Sequence, residues 1–366
     1  ATGRFALMGS VVALISLLLV MLSGLTAGLG GQNTAAIDRL GEQGVQRLVF
    51  GGAAGQEPTA SFTQSEFTVA QRDAWAATDG VASVEPLGVS QGRAIGLEHP
   101  VDTDPQGRAD VSGEPTTGVA TTAFIGLTPG GSDAPAGVEP GQIVLSQDVA
   151  DSLHAQEGDA VAVSGFVYTV ADVVPTEYYS HSPVTWLALE DWNAISHTAD
   201  DAVLGTAGLV RFAADADLDA VAAAGDHAAG TVAETVKGSY AALPSYRSEN
   251  GSLMTMQGFL YGISALVVIA FLSIWTVQRT RDIAVLKALG GSNGWVLKDS
   301  LAQAAFVLVG GVAVGTGLAA VVGAFAGRAV PFELSWATTA VPAAGVLVLG
   351  MLAAVIAVYR VTRIDP

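Results

Sequence analysis

Residues 245–256 read SYRSENGSLMTM, a stretch that offers one phenol, Tyr246, one guanidinium, Arg247, one carboxylate, Glu249, and two thioethers, Met254 and Met256. An ionised carboxylate is a hard oxygen donor, a guanidinium pairs with anions through a two-pronged fork, and a thioether is a soft, polarisable contact. Directly after Ser252 the chain turns apolar for the length of a membrane span. Taken alone, Glu249 also fits a solvated residue at a helix start, where the macrodipole favours negative charge. Each methionine equally fits lipid-facing or core packing. A second carboxylate, Glu333, stands in RAVPFELSW (328–336), where Pro331, Phe332 and Trp336 suggest a loop anchored at an interface.

Elsewhere the sequence carries little catalytic chemistry. There is no G-x-x-x-x-G-K-[ST] loop, so the chain lacks that device for holding ATP. GTGLAA (315–320) is a loosened dinucleotide fingerprint inside an apolar span, with no strand before it. His99, His154, His181, His197 and His227 are scattered without metal-ligand spacing, although YYSHSPV (178–184) could gather a small cluster. Nothing builds a triad. Cysteine is absent, so no disulfide staples the fold.

The elements around these residues belong to a membrane protein. Half of the residues are hydrophobic, 14% are charged and the mean hydropathy is +0.46, too apolar for an ordinary soluble chain of 366 residues. Four stretches are long enough to cross: Phe5–Leu29, Leu253–Val277, Leu301–Gly327 and Trp336–Tyr359. Each exceeds the ~20 residues that ~30 Å of hydrocarbon requires, and only helices satisfy their own backbone there at such length. The first apolar run also exceeds the ~7 to 15 residues of a signal-peptide core and is read as a span. Arg4, then Arg279, Arg281, Lys287 and Lys298, then Arg360 and Arg363 mark the cytoplasmic flanks. The long region between the first two spans therefore lies outside the plasma membrane.

That outer region holds 8 Lys and Arg against 30 Asp and Glu, a net charge of −22, while the remainder is mildly positive. Such a surface keeps an exported domain soluble or repels a released anion, and it excludes nucleic acid as a partner. QIVLS (142–146) and GDAVAVSGFVYTVADVV (158–174) read as strands. FTVAQRDAWAATDG (67–80) and LSQDVADSLHA (145–155) read as helices, the second opening on a Ser or Asp cap. Residues 105–140, rich in Gly, Pro, Thr and Ser, read as loop or linker. The fold expected is an α-helical membrane protein with four transmembrane helices plus an α+β extracellular domain. Its parts are a first span within 1–30, the outer domain over 31–252, a second span over 253–278, a cytoplasmic helix and loop over 279–298, and two further spans over 299–366.

RTRDIAVLKALGGSNGWVLKDSL (279–301) offers a short amphipathic helix. Ile283, Leu286 and Leu289 recur every three residues among charged ones, and Gly290-Gly291 ends it. These residues resemble the signature loop of the FtsX/MacB-type (type VII) ABC permeases, and the likeness extends to the plan of one span, a large ectodomain and three spans, with RVTRIDP at 360–366. The segments at 140–174 and VTWLALEDWNAI (184–195) are similar to the MacB-like extracellular core. The resemblance implies a non-catalytic permease, homodimeric in the lipid bilayer, served by a separate cytoplasmic ATP-binding subunit that binds the ATP. Arg279, Arg281, Asp282, Ile283, Leu286, Lys287, Leu289 and Gly290 would dock that subunit.

Within the family the chain resembles the haem-exporting permeases of Gram-positive bacteria, which implies haem as transported ligand rather than catalytic cofactor. On that resemblance Glu249 becomes the axial ligand of the haem iron, with Tyr246, Arg247, Met254 and Met256 lining the pocket and Arg247 pairing a propionate. Glu333 is the weaker choice, because the family's dimer contact uses the first two spans. The small-residue pairs Gly24/Gly28 and Gly258/Gly262 suit a close contact there, yet Gly311/Gly315 in the third span has the same spacing. Export of a peptide, antibiotic or lipoprotein, or regulation of a cell-wall hydrolase as in FtsX, are the alternative functions.

Overall fold

A computed structural model describes residues 2–53, 55–196, 200, 202–278 and 293–362. The chain forms two compact units, one from residues 31–248 and the other from residues 1–30 and 249–366.

The outer unit begins with the last turns of helix α1 (Thr2–Glu42), followed by β1 (Arg47–Phe50), β2 (Phe67–Thr68), α2 (Val69–Ala76) and the 17-residue β3 (Val81–Leu97). Next come β4 (Thr116–Leu127), β5 (Gln142–Ser146), α3 (Gln147–Leu153), β6 (Ala160–Val163), β7 (Phe166–Val174), β8 (Tyr178–Tyr179), β9 (Ser182–Ala188) and α4 (Leu189–Ile195). The chain returns through β10 (Val203–Gly205), β11 (Ala207–Phe212), α5 (Leu218–Ala229) and β12 (Val232–Thr235). The order β12-β1-β11-β3, antiparallel throughout, with α2 and α5 as the crossovers, is a ferredoxin-like β-α-β-β-α-β frame. Everything from β4 to β10 is inserted between its second and third strands.

The insertion closes on itself. The upper half of β3 pairs with β4, the path runs on through β9, β5, β7 and β6, and β6 returns to β3 with Ala94 opposite Val163. All six strands of this ring send side chains to one core, including Ala94, Phe124, Leu145, Val163, Tyr168 and Leu187, and α3 and α4 add Leu153 and Trp192. Gly88 and Gly126 face each other across β3 and β4, and the Trp192 side chain packs against both. A Cβ at Gly88 would come within 2.2 Å of that ring and one at Gly126 within 2.4 Å of the Trp192 Cβ, so the two glycines are required by the packing.

The strands at 142–146 and 158–174 stand where the apolar runs place them, as β5, β6 and β7. The helical reading of 67–80 is trimmed: Phe67 and Thr68 pair with β10, and Thr68 then caps α2 in a reciprocal box with Gln71. Ser146 occupies the position before α3, but its hydroxyl donates to the Val184 carbonyl instead of capping. The loop reading of 105–140 fails in its middle, where residues 116–127 form β4. Its Thr and Gly content disguised a strand that is held on both sides, with Thr122 and Thr185 hydroxyls 2.9 Å apart in the buried β4–β9 seam.

In the membrane unit, residues of α1, α6 (Pro244–Gln278), α7 (Asn293–Ala326) and α8 (Trp336–Thr362) share an apolar core from Met8, Val12, Leu19, Val268, Leu308, Val346 and Ala354. All four helices are long and apolar enough to cross a bilayer, and each runs beyond the span read from hydropathy. The three small-residue pairs have three different fates. Gly311 and Gly315 lie on α1, where a Cβ at Gly315 would come within 2.2 Å of the Ala13 carbonyl oxygen. Gly24 and Gly28, expected at a contact between copies, are instead covered by the chain's own loop: Phe332 sits against Gly24 and the Pro331 carbonyl against Gly28. Gly258 and Gly262 meet nothing within 4 Å.

Candidate functional site

Pro244 opens α6, where a fixed φ and a missing N–H cost nothing, and Leu243 before it is extended as the residue preceding a proline must be. The first turn of α6 belongs to the outer unit. Ser245 donates to the Asn33 side-chain oxygen at 2.7 Å and shares a 2.8 Å hydrogen bond with Ser180. Ser180 and His181 form a two-residue turn between β8 and β9, both with positive φ (48° and 64°). Their backbone amides donate to the Asn33 and Gln32 carbonyls of α1 at 3.1 and 2.9 Å. The Asn33 amide lies 3.1 Å from His181 Nε2. Of the cluster suggested at 178–184, then, His181 is held by α1 and its turn is a clasp on that helix; among the described residues no group of three or more His, Asp or Glu converges on a metal.

Tyr246, read as a pocket residue, packs on the outer core and meets Tyr240 edge-on at 5.4 Å. Tyr240 in turn donates to Asp38 of α1, and burial followed by that bond raises its phenol above the ordinary value. Arg247 is exposed. Glu249 is half-buried, whereas Met254 and Met256 are 61% and 54% exposed. At about 100° per residue, Glu249 and Met256, seven apart, share one face of α6, and Arg247 and Met254, also seven apart, share a face about 160° away. The open Gly258 lies on the Arg247 side. Below, Gln257 donates to the Thr26 hydroxyl of α1 at 3.2 Å, a polar tie between two apolar helices.

The rival carboxylate Glu333 is exposed, while its backbone amide donates to the Gly24 carbonyl at 3.0 Å. Phe332 plugged against Gly24 and Gly323 is what anchors that loop. The residues expected to dock an ATPase, Arg279, Arg281, Asp282, Ile283, Leu286, Lys287, Leu289 and Gly290, lie outside the described residues.

The acidity of the outer unit has a pH consequence. Glu177, beside Arg39 at 3.5 Å, Asp191 and Asp226 are all raised above the usual carboxylate range, each chiefly by burial. A raised native pKa means that the folded state binds the proton more tightly, so stability grows as pH falls from above the raised values toward the ordinary carboxylate value. Relief of repulsion among the net −22 acts in the same direction. The outer domain should therefore melt at higher temperature near ~pH 5 than near ~pH 8, and Glu177→Gln should flatten that slope. Circular dichroism melts at the two pH values check this; a melting temperature that drops on acidification would refute it.

Four bilayer-length helices, cytoplasmic flanks rich in Lys and Arg, and an acidic α/β domain define a multi-pass membrane protein with a large extracellular domain. Residues 254–366 match the FtsX-like permease C-terminal family. It is 22% identical over 226 residues to a Staphylococcus epidermidis protein that bears the name hemin transport system permease protein HrtB. That match spans 62% of this chain and 62% of the relative. A Staphylococcus haemolyticus protein of the same name is 28% identical over 124 residues, 34% of this chain and 35% of that one. Among solved structures, the extracellular domain of YknZ from Gram-positive bacteria covers 51% of this chain and 98% of its own (13% identity, TM-score 0.33). The periplasmic region of MacB from Actinobacillus actinomycetemcomitans covers 53% and 89% (10% identity, TM-score 0.34).

Proposed function

We propose that this chain is the non-catalytic permease subunit of an ABC-type efflux pump of the FtsX/MacB type, which takes haem from the outer leaflet of the plasma membrane and releases it outside. The observation that carries the reading is the similarity over 226 residues to a relative named for hemin transport. A separate cytoplasmic ATP-binding subunit supplies the energy, and the permease works as a homodimer. Haem is an amphiphile whose macrocycle partitions into lipid while its propionates stay near water, so its site belongs at headgroup depth. Glu249, where α6 passes from polar to apolar sequence, has that depth and the oxygen donor that ferric iron accepts.

The two faces of α6 support a site shared by two copies. One chain aims Glu249 and Met256 at the ligand, and Arg247 and Met254 of the same helix point elsewhere, so the second copy supplies the guanidinium for a propionate. Haemin added to the purified chain with its ATPase should shift and sharpen the Soret band, whereas a peptide or lipoprotein exporter would leave free haemin unchanged. An unshifted spectrum at saturating haemin would end this reading.

The coupling element gives a separable test. Leu286→Asp or Asp282→Lys should cut haem-stimulated ATP hydrolysis by roughly tenfold or more, as losing ~1.4 kcal/mol or more of docking energy would, and leave the haem titration of the permease intact. Equal ATPase stimulation in these variants and the wild type would show that the 279–290 segment does not couple.

A further inference from the structure

The tight α1–α7 seam leaves a furrow beside it. Gly311 approaches Gly9 backbone to backbone, and on the outward side of that contact Ala6, Gly9 and Gly310 floor a groove of about 650 Å³ between the two helices. Phe306, 83% exposed, walls it, and an adjoining pocket lined by Ser10, Leu14 and Leu17 extends it along α1, so the whole lining is apolar apart from Ser10 and its lower end. There Gln303 donates to Asp299 at 2.8 Å, and exposed Lys298 stands one turn below Ala302 on the same ridge of α7.

Depth and charge identify the occupant. α1 and α7 both enter from the cytoplasmic side, so the groove belongs to the inner leaflet. From Ala6 to Leu17 the helix rises ~17 Å, and half of the ~30 Å hydrocarbon core is ~15 Å. The apolar length therefore matches one acyl chain, with a cation at the level where a phosphate would sit. We infer that this groove is a binding site for an anionic phospholipid of the inner leaflet, one acyl chain lying over Gly9 and Gly310 and the headgroup phosphate beside Lys298. The site is remote from Glu249 in sequence and in leaflet, and stands whether or not haem is the cargo.

Gly310 makes the test clean, because a Cβ there meets nothing within 4 Å and a larger side chain fills the groove without touching the seam. The full chain is purified in mild detergent and supplied with phosphatidylglycerol or phosphatidylcholine, and the lipid retained per chain is counted by native mass spectrometry. The wild type should hold one phosphatidylglycerol per chain. Gly310→Leu should weaken retention roughly tenfold, the effect of losing about two buried methylenes. Gly317→Leu, whose Cβ is also open but which lies off the groove, should retain it. Lys298→Glu should abolish the preference for phosphatidylglycerol and leave phosphatidylcholine binding unchanged. Equal phosphatidylglycerol retention in Gly310→Leu and the wild type overturns the proposal. So does a Gly310→Leu change that alters the oligomeric mass and not the bound lipid, because the groove would then be a seam between copies.

Discussion

Gly315→Leu is expected to destroy the folded membrane unit. Helices in lipid gain no hydrophobic driving force from meeting each other, so α1 and α7 depend on close van der Waals approach. At Gly315 that approach is limited by backbone: the Cβ would lie 2.2 Å from the Ala13 carbonyl oxygen and 2.8 Å from Ser16 Cβ. Neither atom is the free end of a flexible side chain, so relief requires separating the helices. The cost should reach or exceed the ~3 kcal/mol at the upper end of overpacking. Gly262→Leu, at a position open to its surroundings, should leave the single chain's fold intact. Thermal aggregation in detergent followed by size exclusion compares the two; a Gly315→Leu protein as heat-resistant as the wild type would refute the seam.

Trp75→Ala should cost the extracellular domain about 3–5 kcal/mol. The indole is fully buried between α2 and α5, where Gly225 lets it approach so closely that a Cβ there would sit 2.5 Å from the ring. Its N–H donates to Thr231 at 2.9 Å, and Thr231 donates to Asp226 at 2.8 Å. Truncation therefore opens a cavity and removes one bond of a buried chain that ties α5 to the start of β12. Trp75→Phe, which keeps most of the volume and loses the donor, should fall between alanine and wild type. Chemical denaturation of the outer domain reads all three, and a midpoint unchanged in Trp75→Ala would show that the α2–α5 contact contributes little.

The spans were legible because bilayer thickness imposes a length and because Lys and Arg mark the cytoplasmic side; both signals are local. Strands β5, β6 and β7 were legible for the same reason, as short apolar runs ended by polar or glycine-containing turns. β4 was not. TTGVATTAFIGL reads as linker, and its reasons for being a strand lie elsewhere in the chain: Gly126 is there for Trp192 some sixty residues on, and Thr122 for Thr185. The return of β6 to β3 that closes the ring is equally non-local. Small-residue spacing gave three identical patterns, and only tertiary packing separates the α1–α7 seam from the loop plug at Phe332 and the open surface on α6. At the candidate site, the sequence supplied the residue types and the depth of Glu249. It did not supply the division of those residues between two helix faces, nor the tie from Ser245 through Asn33 to the strained turn at Ser180 and His181.

Absorbance titration of haemin into the purified permease, wild type against Glu249→Ala, bears most directly on what this chain does. Ligation by that carboxylate predicts a saturable Soret change in the wild type and its loss or strong weakening in the variant, with both proteins equally able to assemble with the ATPase. An identical titration in Glu249→Ala would contradict the site, and loss in Glu333→Ala with retention in Glu249→Ala would move the ligand to the other outer loop.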